Sequence, residues 1–148
     1  GLAIIFAKIF FSESDTSESE KIILHNFIGV IVVLGHVFSV FLRFKGGKGI
    51  STLFGVLAIL HLPIGISAAI IWILIFYWKK ISSISGITML SCLPFLFILV
   101  PYFSNESPVW TIFFIFLMLS LLLLFKHKEN FKRLLKGQEK QLSTKKTS

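Results

Sequence analysis

Cysteine and charged side chains are scarce in this chain. Its one cysteine, Cys92, leaves no second thiol for a disulfide within the chain. Charged residues make up only 15% of the 148 residues, whereas hydrophobic residues make up 55% and the mean hydropathy is +0.86. A soluble domain of this size cannot shield so much apolar surface from water. The composition therefore predicts an all-α, polytopic helical membrane protein that forms one domain over residues 1–148.

Acidic residues are the scarcer of the two charge types. The chain has seven Asp and Glu against fifteen Lys and Arg, a formal net charge of +8. Basic residues follow the apolar runs, whereas five of the seven acidic residues lie in the connectors 11–21 and 104–108. The positive-inside bias then predicts cytoplasmic basic loops and a basic cytoplasmic tail over residues 126–148. Because the cations lie at span ends, we expect no nucleic-acid partner.

Several patterns of known chemistry are also missing. No Ser-His-Asp arrangement is evident, and His and carboxylate residues do not cluster at the spacing of metal ligands. We therefore expect neither a metal ion nor another cofactor.

Four apolar runs organise the chain. Residues 22–42, 89–103 and 109–125 each predict one membrane helix, because a hydrocarbon core of about 30 Å needs roughly twenty residues to cross. Residues 1–11 are interpreted as the end of a truncated span, and residues 11–21 as a solvated acidic loop.

The fourth run, residues 50–78, allows two topologies because His61 and Pro63 interrupt it. A single crossing places Lys79 and Lys80 on the side opposite the preceding basic loop. A reversal at Pro63, which lacks an N–H and favours a break, puts all basic clusters on one side. We predict this hairpin, which brings the total to about five membrane helices, with His61 in an external loop.

A glycine-lysine loop follows the first of these spans. Its glycines, Gly46, Gly47 and Gly49, allow a tight turn, and the helix that follows presents N–H groups that favour an anion. Lys45 and Lys48 add positive charge. It is not a nucleotide P-loop, because Gly49 rather than Ser or Thr follows Lys48. The residues alone leave open a phosphate-binding loop and a basic turn that fixes topology.

Three polar side chains, His25, Asn26 and His36, lie within or at the edge of this first span. Such groups usually form hydrogen bonds between helices. We interpret His25 and Asn26 as structural.

Residues 35–52 read GHVFSVFLRFKGGKGIST. They resemble the second signature of the bacterial acyl-phosphate:glycerol-3-phosphate acyltransferases (PlsY type), GHxFPVFLxFKGGKGVAT. Residues 126–139 resemble the third signature, RHRENIxRLxxGxE, and residues 80–84 are similar to the RYxSL element, with Ser83 at the serine position. The order and spacing of these segments agree over nearly the whole chain.

The resemblance implies transfer of an acyl group from acyl phosphate to the 1-hydroxyl of glycerol 3-phosphate. The products are lysophosphatidic acid and phosphate, a step of phospholipid biosynthesis that uses neither coenzyme A nor acyl carrier protein as direct donor. It implies a multi-pass protein of the bacterial inner membrane, surrounded by lipid, with its active-site loops in the cytoplasm. An acyl phosphate is already activated, so positioning and charge neutralisation meet most of the chemical demand.

Site residues follow from the same resemblance. Those implied to bind phosphate are Lys45, Gly46, Gly47, Lys48, Gly49 and Arg133. Those implied to be catalytic, to hold the polar substrate or to orient the site are Lys48, Ser83, Asn130, His36, His127 and Glu139. The competing interpretation of the tail is a solvated amphipathic helix on the membrane surface.

Some family features differ here. The first signature, SGNxGATN, does not occur in the chain, and Ser39 and Lys126 replace proline and arginine. Two interpretations stay open. The chain is a piece of a complete enzyme whose upstream part either precedes this sequence or is encoded in a separate reading frame as an N-terminal fragment, or it is a relic with little activity. The rival function is a non-enzymatic membrane protein whose basic loops bind anionic lipid headgroups.

Overall fold

The computed structural model describes residues 17–39, 46–99 and 108–139. Within these stretches the chain forms six α-helices and no strand: α1 (Glu18–Val37), α2 (Ile50–Leu60), α3 (Leu62–Lys79), α4 (Ser82–Leu99), α5 (Val109–Lys126) and α6 (Lys128–Leu135). The predicted all-α class is confirmed. The predicted span end at residues 1–11 and the tail beyond residue 139 lie outside the described residues.

Four of the described helices, α1, α3, α4 and α5, are long and apolar enough to cross a membrane. Helix α2 has only 11 residues, about 16 Å at 1.5 Å per residue, so it reaches roughly half way across. The protein is therefore a multi-pass membrane protein. The predicted total of about five membrane helices corresponds to these four spans and the short α2.

Helix α1 begins earlier than the hydropathy predicts. The Ser17 hydroxyl accepts a hydrogen bond from the Glu20 N–H at 3.3 Å, and the Ser17 N–H donates to the Glu20 carboxylate at 3.0 Å. This capping box satisfies two N–H groups, and the acidic first turn complements the helix dipole. The interpretation of residues 11–21 as loop is therefore wrong for residues 18–21.

Helix α4 begins at Ser82, seven residues before the predicted start at residue 89. The small polar residues in its first turns resemble a connector in sequence. Ser85 is nevertheless fully buried, and its hydroxyl donates to the Ile81 carbonyl at 3.2 Å. A hydroxyl that donates a hydrogen bond to a carbonyl of its own helix can be buried among apolar side chains. The polarity of these residues therefore places the predicted start of α4 too late in the sequence.

The stretch 50–78 does turn back on itself, as predicted. Helices α2 and α3 are separated by His61 alone, with Pro63 in the first turn of α3. A Cβ placed on Gly65 would lie 3.3 Å from the Leu57 carbonyl carbon, so the two helices pack closely from the turn onward. The location of His61 in an external loop is wrong, because only 4% of its surface is exposed.

A polar pair holds this turn inside the bundle. His61 Nε2 lies 2.8 Å from Asn26 Oδ1 on α1, and Asn26 also donates to the Ile22 carbonyl at 2.8 Å. The imidazole packs edge-on against Phe97 and Phe116. Because α2 ends at membrane depth, its polar groups must find partners within the protein. Asn26 thus has the structural role that its position predicts.

Asn26→Leu is expected to destabilise the bundle by about 1–2 kcal/mol, because it removes a buried hydrogen bond between helices. The midpoint of thermal unfolding in detergent should fall by several degrees. Ser91→Ala is the matched control, since the exposed Ser91 hydroxyl bonds to the Ile87 carbonyl of its own helix. Equal midpoints for the two variants would show that the pair contributes nothing.

Helices α1 to α5 form a closed ring in which neighbours in sequence are in contact and α5 also contacts α1, and α6 contacts α5. The apolar core lies inside this ring and includes Val33, Leu57, Met89, Phe97 and Phe116. Alternating chain direction brings the end of α1, the starts of α2 and α4 and the junction of α5 with α6 to one end of the bundle. The candidate site lies there.

Candidate functional site

The glycine-lysine loop enters helix α2 along a path that requires glycine. Gly49 is the N-cap with φ of +79°, and a Cβ there would lie 2.7 Å from Val37 Cγ2. A Cβ on Gly46 would lie 2.1 Å from the His36 carbonyl oxygen. The loop is therefore pressed against the end of α1. Among the described residues, no anionic or hydroxyl side chain caps the positive start of α2 at Gly49.

A cavity of about 640 Å³ opens at this helix start. The lining residues are His36, Gly47, Lys48, Gly49, Ile50, Ser51, Phe54, Trp72 and Ser82. Its polar side is formed by Lys48, the start of α2, Ser51 and Ser82. Phe54 and Trp72 supply an aromatic wall that continues toward membrane depth. The cavity thus offers positive charge beside an apolar surface.

Beside this cavity, four side chains form a hydrogen-bond network between α4, α6 and the segment after α6. The Ser83 hydroxyl donates to Glu139 Oε1. Asn130 Nδ2 donates to the Ser83 hydroxyl at 2.7 Å and to Glu139 Oε1 at 2.8 Å. Arg133 Nε donates to Glu139 Oε2 at 2.8 Å. Both carboxylate oxygens of Glu139 are therefore occupied.

These hydrogen bonds stabilise the ionised form of Glu139. The donors Ser83, Arg133 and Asn130 lower the pKa of its carboxyl from 4.5 to about 2. Glu139 is consequently a poor general base at neutral pH. Its chemical role in this arrangement is to hold three donors in fixed positions.

The low pKa of Glu139 predicts how stability changes with pH. Because its pKa is lower in the folded chain than the usual 4.5, its stabilising contribution is complete above about pH 4.5 and is lost as the pH falls toward about 2. The thermal midpoint of the protein should therefore fall toward that of Glu139→Gln over this range. Glu129→Gln, which removes only an exposed ion pair with Lys132, is the control and should differ little at any pH. A difference between protein and Glu139→Gln that is independent of pH would contradict the assignment.

Lys48 and His127 are electrostatically linked to this network. Partial burial of the Lys48 side chain lowers its pKa below 10.5. The negative charge of Glu139 opposes this shift, and the positive charge of Arg133 adds to it. Burial lowers the pKa of His127 below 6.5; its hydrogen bond to Leu123 opposes this effect, and Lys48 reinforces it. The His127 Nδ1 lies 2.8 Å from the Leu123 carbonyl oxygen, which can only accept, so Nδ1 carries the proton in the neutral ring.

The structure thus brings most of the predicted site residues to one place. Ser83, Asn130, Arg133 and Glu139 are in direct contact. The cavity next to them contains Lys48, His36, Gly47 and Gly49 in its lining. His127 lies buried at the junction of α5 and α6, and Gly46 lies against the end of α1. Lys45 lies outside the described residues. Their roles in binding or catalysis stay predictions.

Sequence reasoning missed the cavity wall. Phe54 and Trp72 are apolar residues in apolar runs, and nothing in the sequence distinguishes them from their lipid-facing neighbours. Ser82, which lines the cavity, is adjacent in sequence to the predicted site residue Ser83 but lies on a different face of α4. Among the described residues, no three His, Cys, Asp or Glu side chains lie close enough together to hold a metal ion.

Known proteins that this chain resembles belong to one family. Residues 1–137 match the family model described as glycerol-3-phosphate acyltransferase. The glycerol-3-phosphate acyltransferase of Mycoplasmopsis pulmonis is 34% identical over 139 residues, which cover 87% of this chain and 61% of that protein. That of Legionella pneumophila (strain Corby) is 33% identical over 145 residues, 97% of this chain and 47% of that protein.

A solved structure shares the fold. The crystal structure of PlsY (YgiH), an integral membrane glycerol 3-phosphate acyltransferase, matches in its glycerol 3-phosphate form with a TM-score of 0.76 and 30% identity. The match covers 96% of this chain and 66% of that one. The lysophosphatidic acid form matches with the same TM-score. The chain spans about half to two thirds of the length of these relatives.

Proposed function

Because this chain belongs to the glycerol-3-phosphate acyltransferase family, we propose that it transfers an acyl group from acyl phosphate to the 1-hydroxyl of glycerol 3-phosphate. The hydroxyl oxygen attacks the acyl carbonyl carbon, and the bond from that carbon to the phosphate oxygen breaks. Phosphate leaves with the electron pair and takes up the proton that the hydroxyl loses, so it is released as hydrogen phosphate. The lipid product is lysophosphatidic acid. The protein would work in a bacterial inner membrane, with the site end of the bundle in the cytoplasm.

One observation carries this proposal: the Ser83, Asn130, Arg133 and Glu139 network lies beside Lys48 and the uncapped start of α2. Both substrates carry phosphate. A lysine, an arginine and free helix N–H groups are the donors that bind phosphate in proteins. The relatives' names and the glycerol 3-phosphate form of PlsY support the same substrate class.

We assign the donor to the cavity and the acceptor to the network. The phosphate of the acyl phosphate binds at Lys48 and the glycine-lysine loop, which includes Lys45, Gly46, Gly47 and Gly49, and its acyl chain lies along Phe54 and Trp72. Ser83, Asn130 and Arg133 hold glycerol 3-phosphate. His36, which packs over Gly47, and the buried His127 orient the loop and the network. Fixed donors around the departing phosphate stabilise its developing charge without reorganisation.

The burial of Asn130 argues against the non-enzymatic alternative. A lipid-headgroup surface needs only exposed cations, whereas Asn130 is 3% exposed and donates two hydrogen bonds inside the network. Such a network costs desolvation and is expected where positions must be fixed.

The decisive experiment measures phosphate release from palmitoyl phosphate by the purified protein in detergent, with and without glycerol 3-phosphate. We expect release that requires glycerol 3-phosphate, with lysophosphatidate identified by mass spectrometry. The same assay is repeated after co-expression with the part of the Mycoplasmopsis pulmonis relative that this chain does not match. Activity only in the second case identifies the chain as one part of the enzyme. The proposal fails if neither preparation forms lysophosphatidate.

A further inference from the structure

Helix α6 has two faces that differ in composition and contacts. Asn130 and Arg133 face the network with Glu139. The other face repeats at positions i, i+3, i+4 and i+7 and consists of Lys128, Phe131, Lys132 and Leu135. Phe131 is 54% exposed and Leu135 is 77% exposed, which is unfavourable in water and favourable at a bilayer surface.

This outer face borders a second cavity of about 460 Å³. The lining residues are Ile87, Ser91, Leu124, His127, Lys128, Phe131 and Lys132. His127, which lines this cavity, is electrostatically linked to Lys48 in the lining of the first cavity. Its volume is in the range of about 300–1,000 Å³ that is usual for small-molecule sites.

The cavity is polar at one end and apolar at the other. Ile87, Ser91 and Leu124 belong to the membrane-spanning helices α4 and α5, and the Ser91 hydroxyl is already bonded to the Ile87 carbonyl at 2.9 Å. Lys128 and Lys132 belong to the short helix α6 at the bundle end. A ligand that fits must have an apolar tail that points toward the membrane interior and a negatively charged group that lies at the membrane surface.

Both lysines can interact with a negatively charged group of a ligand. Lys128 Nζ lies 4.6 Å from the centre of the Phe125 ring, and Lys132 Nζ pairs with Glu129 at 3.3 Å. The second pair is well exposed on both sides, with side-chain exposures of 66% and 58%, so it is weak and exchangeable. Residues four apart on a helix are about 5–6 Å apart at Cβ, so one phosphate can contact both ammonium groups.

We propose that this cavity binds an anionic glycerophospholipid, with its phosphate between Lys128 and Lys132 and an acyl chain along Ile87 and Leu124. The bilayer itself supplies such lipids, and the proposed product, lysophosphatidate, shares the same chemistry. A lipid held on the outer face of α6 fixes the helix whose inner face carries Asn130 and Arg133. That coupling to catalysis rests on the proposed function, whereas the binding site does not.

The test measures lipid binding directly and needs no turnover. The protein in nonionic detergent is titrated with dioleoylphosphatidylglycerol, oleoyl lysophosphatidate and dioleoylphosphatidylcholine, and bound lipid is counted by native mass spectrometry. We expect the two anionic lipids to bind at least tenfold more tightly than phosphatidylcholine. The tighter of the two identifies the source, bilayer lipid or product.

Two variants and one control locate the site. The double variant Lys128→Gln/Lys132→Gln should weaken binding of phosphatidylglycerol about tenfold or more, since each lysine near an anionic surface contributes appreciably. Ile87→Trp fills the apolar end and should weaken it while both lysines remain. Lys79→Gln/Lys80→Gln removes the same charge at the same end of the bundle, away from the cavity lining, and should change binding by less than about twofold.

Three results overturn the proposal: equal affinity for phosphatidylcholine, equal loss in the Lys79→Gln/Lys80→Gln control, or unchanged binding in both cavity variants. Because Lys128→Gln/Lys132→Gln changes only exposed side chains, it keeps the test valid if Ile87→Trp does not fold. A protein that binds the anionic lipid but forms no lysophosphatidate, either alone or after co-expression with the unmatched part of the relative, retains the lipid site and refutes only the proposed function.

Discussion

Replacement of Lys48 by alanine is expected to lower phosphate release by more than about a hundredfold, the usual effect of removing one preorganised donor to a developing charge. Lys48 lines the cavity at the start of α2 and is electrostatically linked to Glu139, Arg133 and His127. The departing phosphate gains negative charge as the carbon–oxygen bond breaks. The ammonium should therefore stabilise the transition state more than the bound substrate, and kcat should fall more than KM rises.

The matched control is Lys79→Ala, which removes a lysine at the same end of the bundle that does not line this cavity. Lys48→Arg keeps the charge but not its position, so it should retain part of the activity. Thermal unfolding of all three variants, with and without acyl phosphate, separates loss of binding from loss of folding. If Lys48→Ala and Lys79→Ala have the same rate, the glycine-lysine loop only fixes topology.

How much of this fold could be predicted depends on which physical effect dominates each segment. Long apolar runs identify a membrane helix reliably, because hydrocarbon requires such a run and offers few alternatives. Helix α5 accordingly occupies residues 109–126, one residue longer than predicted. The break at His61 was also predictable, because Pro63 and the charge bias both favour it.

Burial of polar side chains was not predictable, because it depends on partners that are distant in sequence. His61 enters the core since Asn26, 35 residues earlier, supplies a hydrogen bond there. Ser85 enters it because a carbonyl of its own helix satisfies its hydroxyl. In both cases polarity suggested a loop, and a hydrogen bond made burial possible.

The candidate site likewise contains residues that the sequence predicts and residues that it does not. The residues that the family resemblance implies, Ser83, Asn130, Arg133 and Glu139, prove to be in contact although 56 positions separate the first from the last. The cavity walls Phe54 and Trp72 have no motif, and their position follows from packing alone. The outer face of α6 corresponds to the amphipathic membrane-surface helix that the sequence offers as a competing interpretation, but the cavity that it borders is visible only in the fold.

The second large effect is expected at Asn130, whose amide donates to both Ser83 and Glu139. Asn130→Asp keeps the shape but replaces the donor by a carboxylate, which would face the Glu139 carboxylate at a separation now spanned by a 2.8 Å hydrogen bond. We expect turnover to fall by about 10- to 100-fold, because a hydrogen bond to a charged group contributes about 1.5–3 kcal/mol and repulsion adds to its loss. Glu129→Gln, one position earlier and exposed, should leave turnover nearly unchanged.

Adding Glu139→Gln to Asn130→Asp tests whether Asn130 and Glu139 act together. In Asn130→Asp/Glu139→Gln the carboxylate and the amide exchange places, so a donor again faces an acceptor and the network keeps one negative charge. The double variant should be more active than Asn130→Asp, with a coupling energy of about 1–3 kcal/mol. Each rate is compared with its thermal midpoint, so that a gain in folding alone is not taken for a gain in catalysis. Additive losses at the two positions would mean that Glu139 does not organise the donors, and that Ser83, Asn130 and Arg133 hold glycerol 3-phosphate without its help.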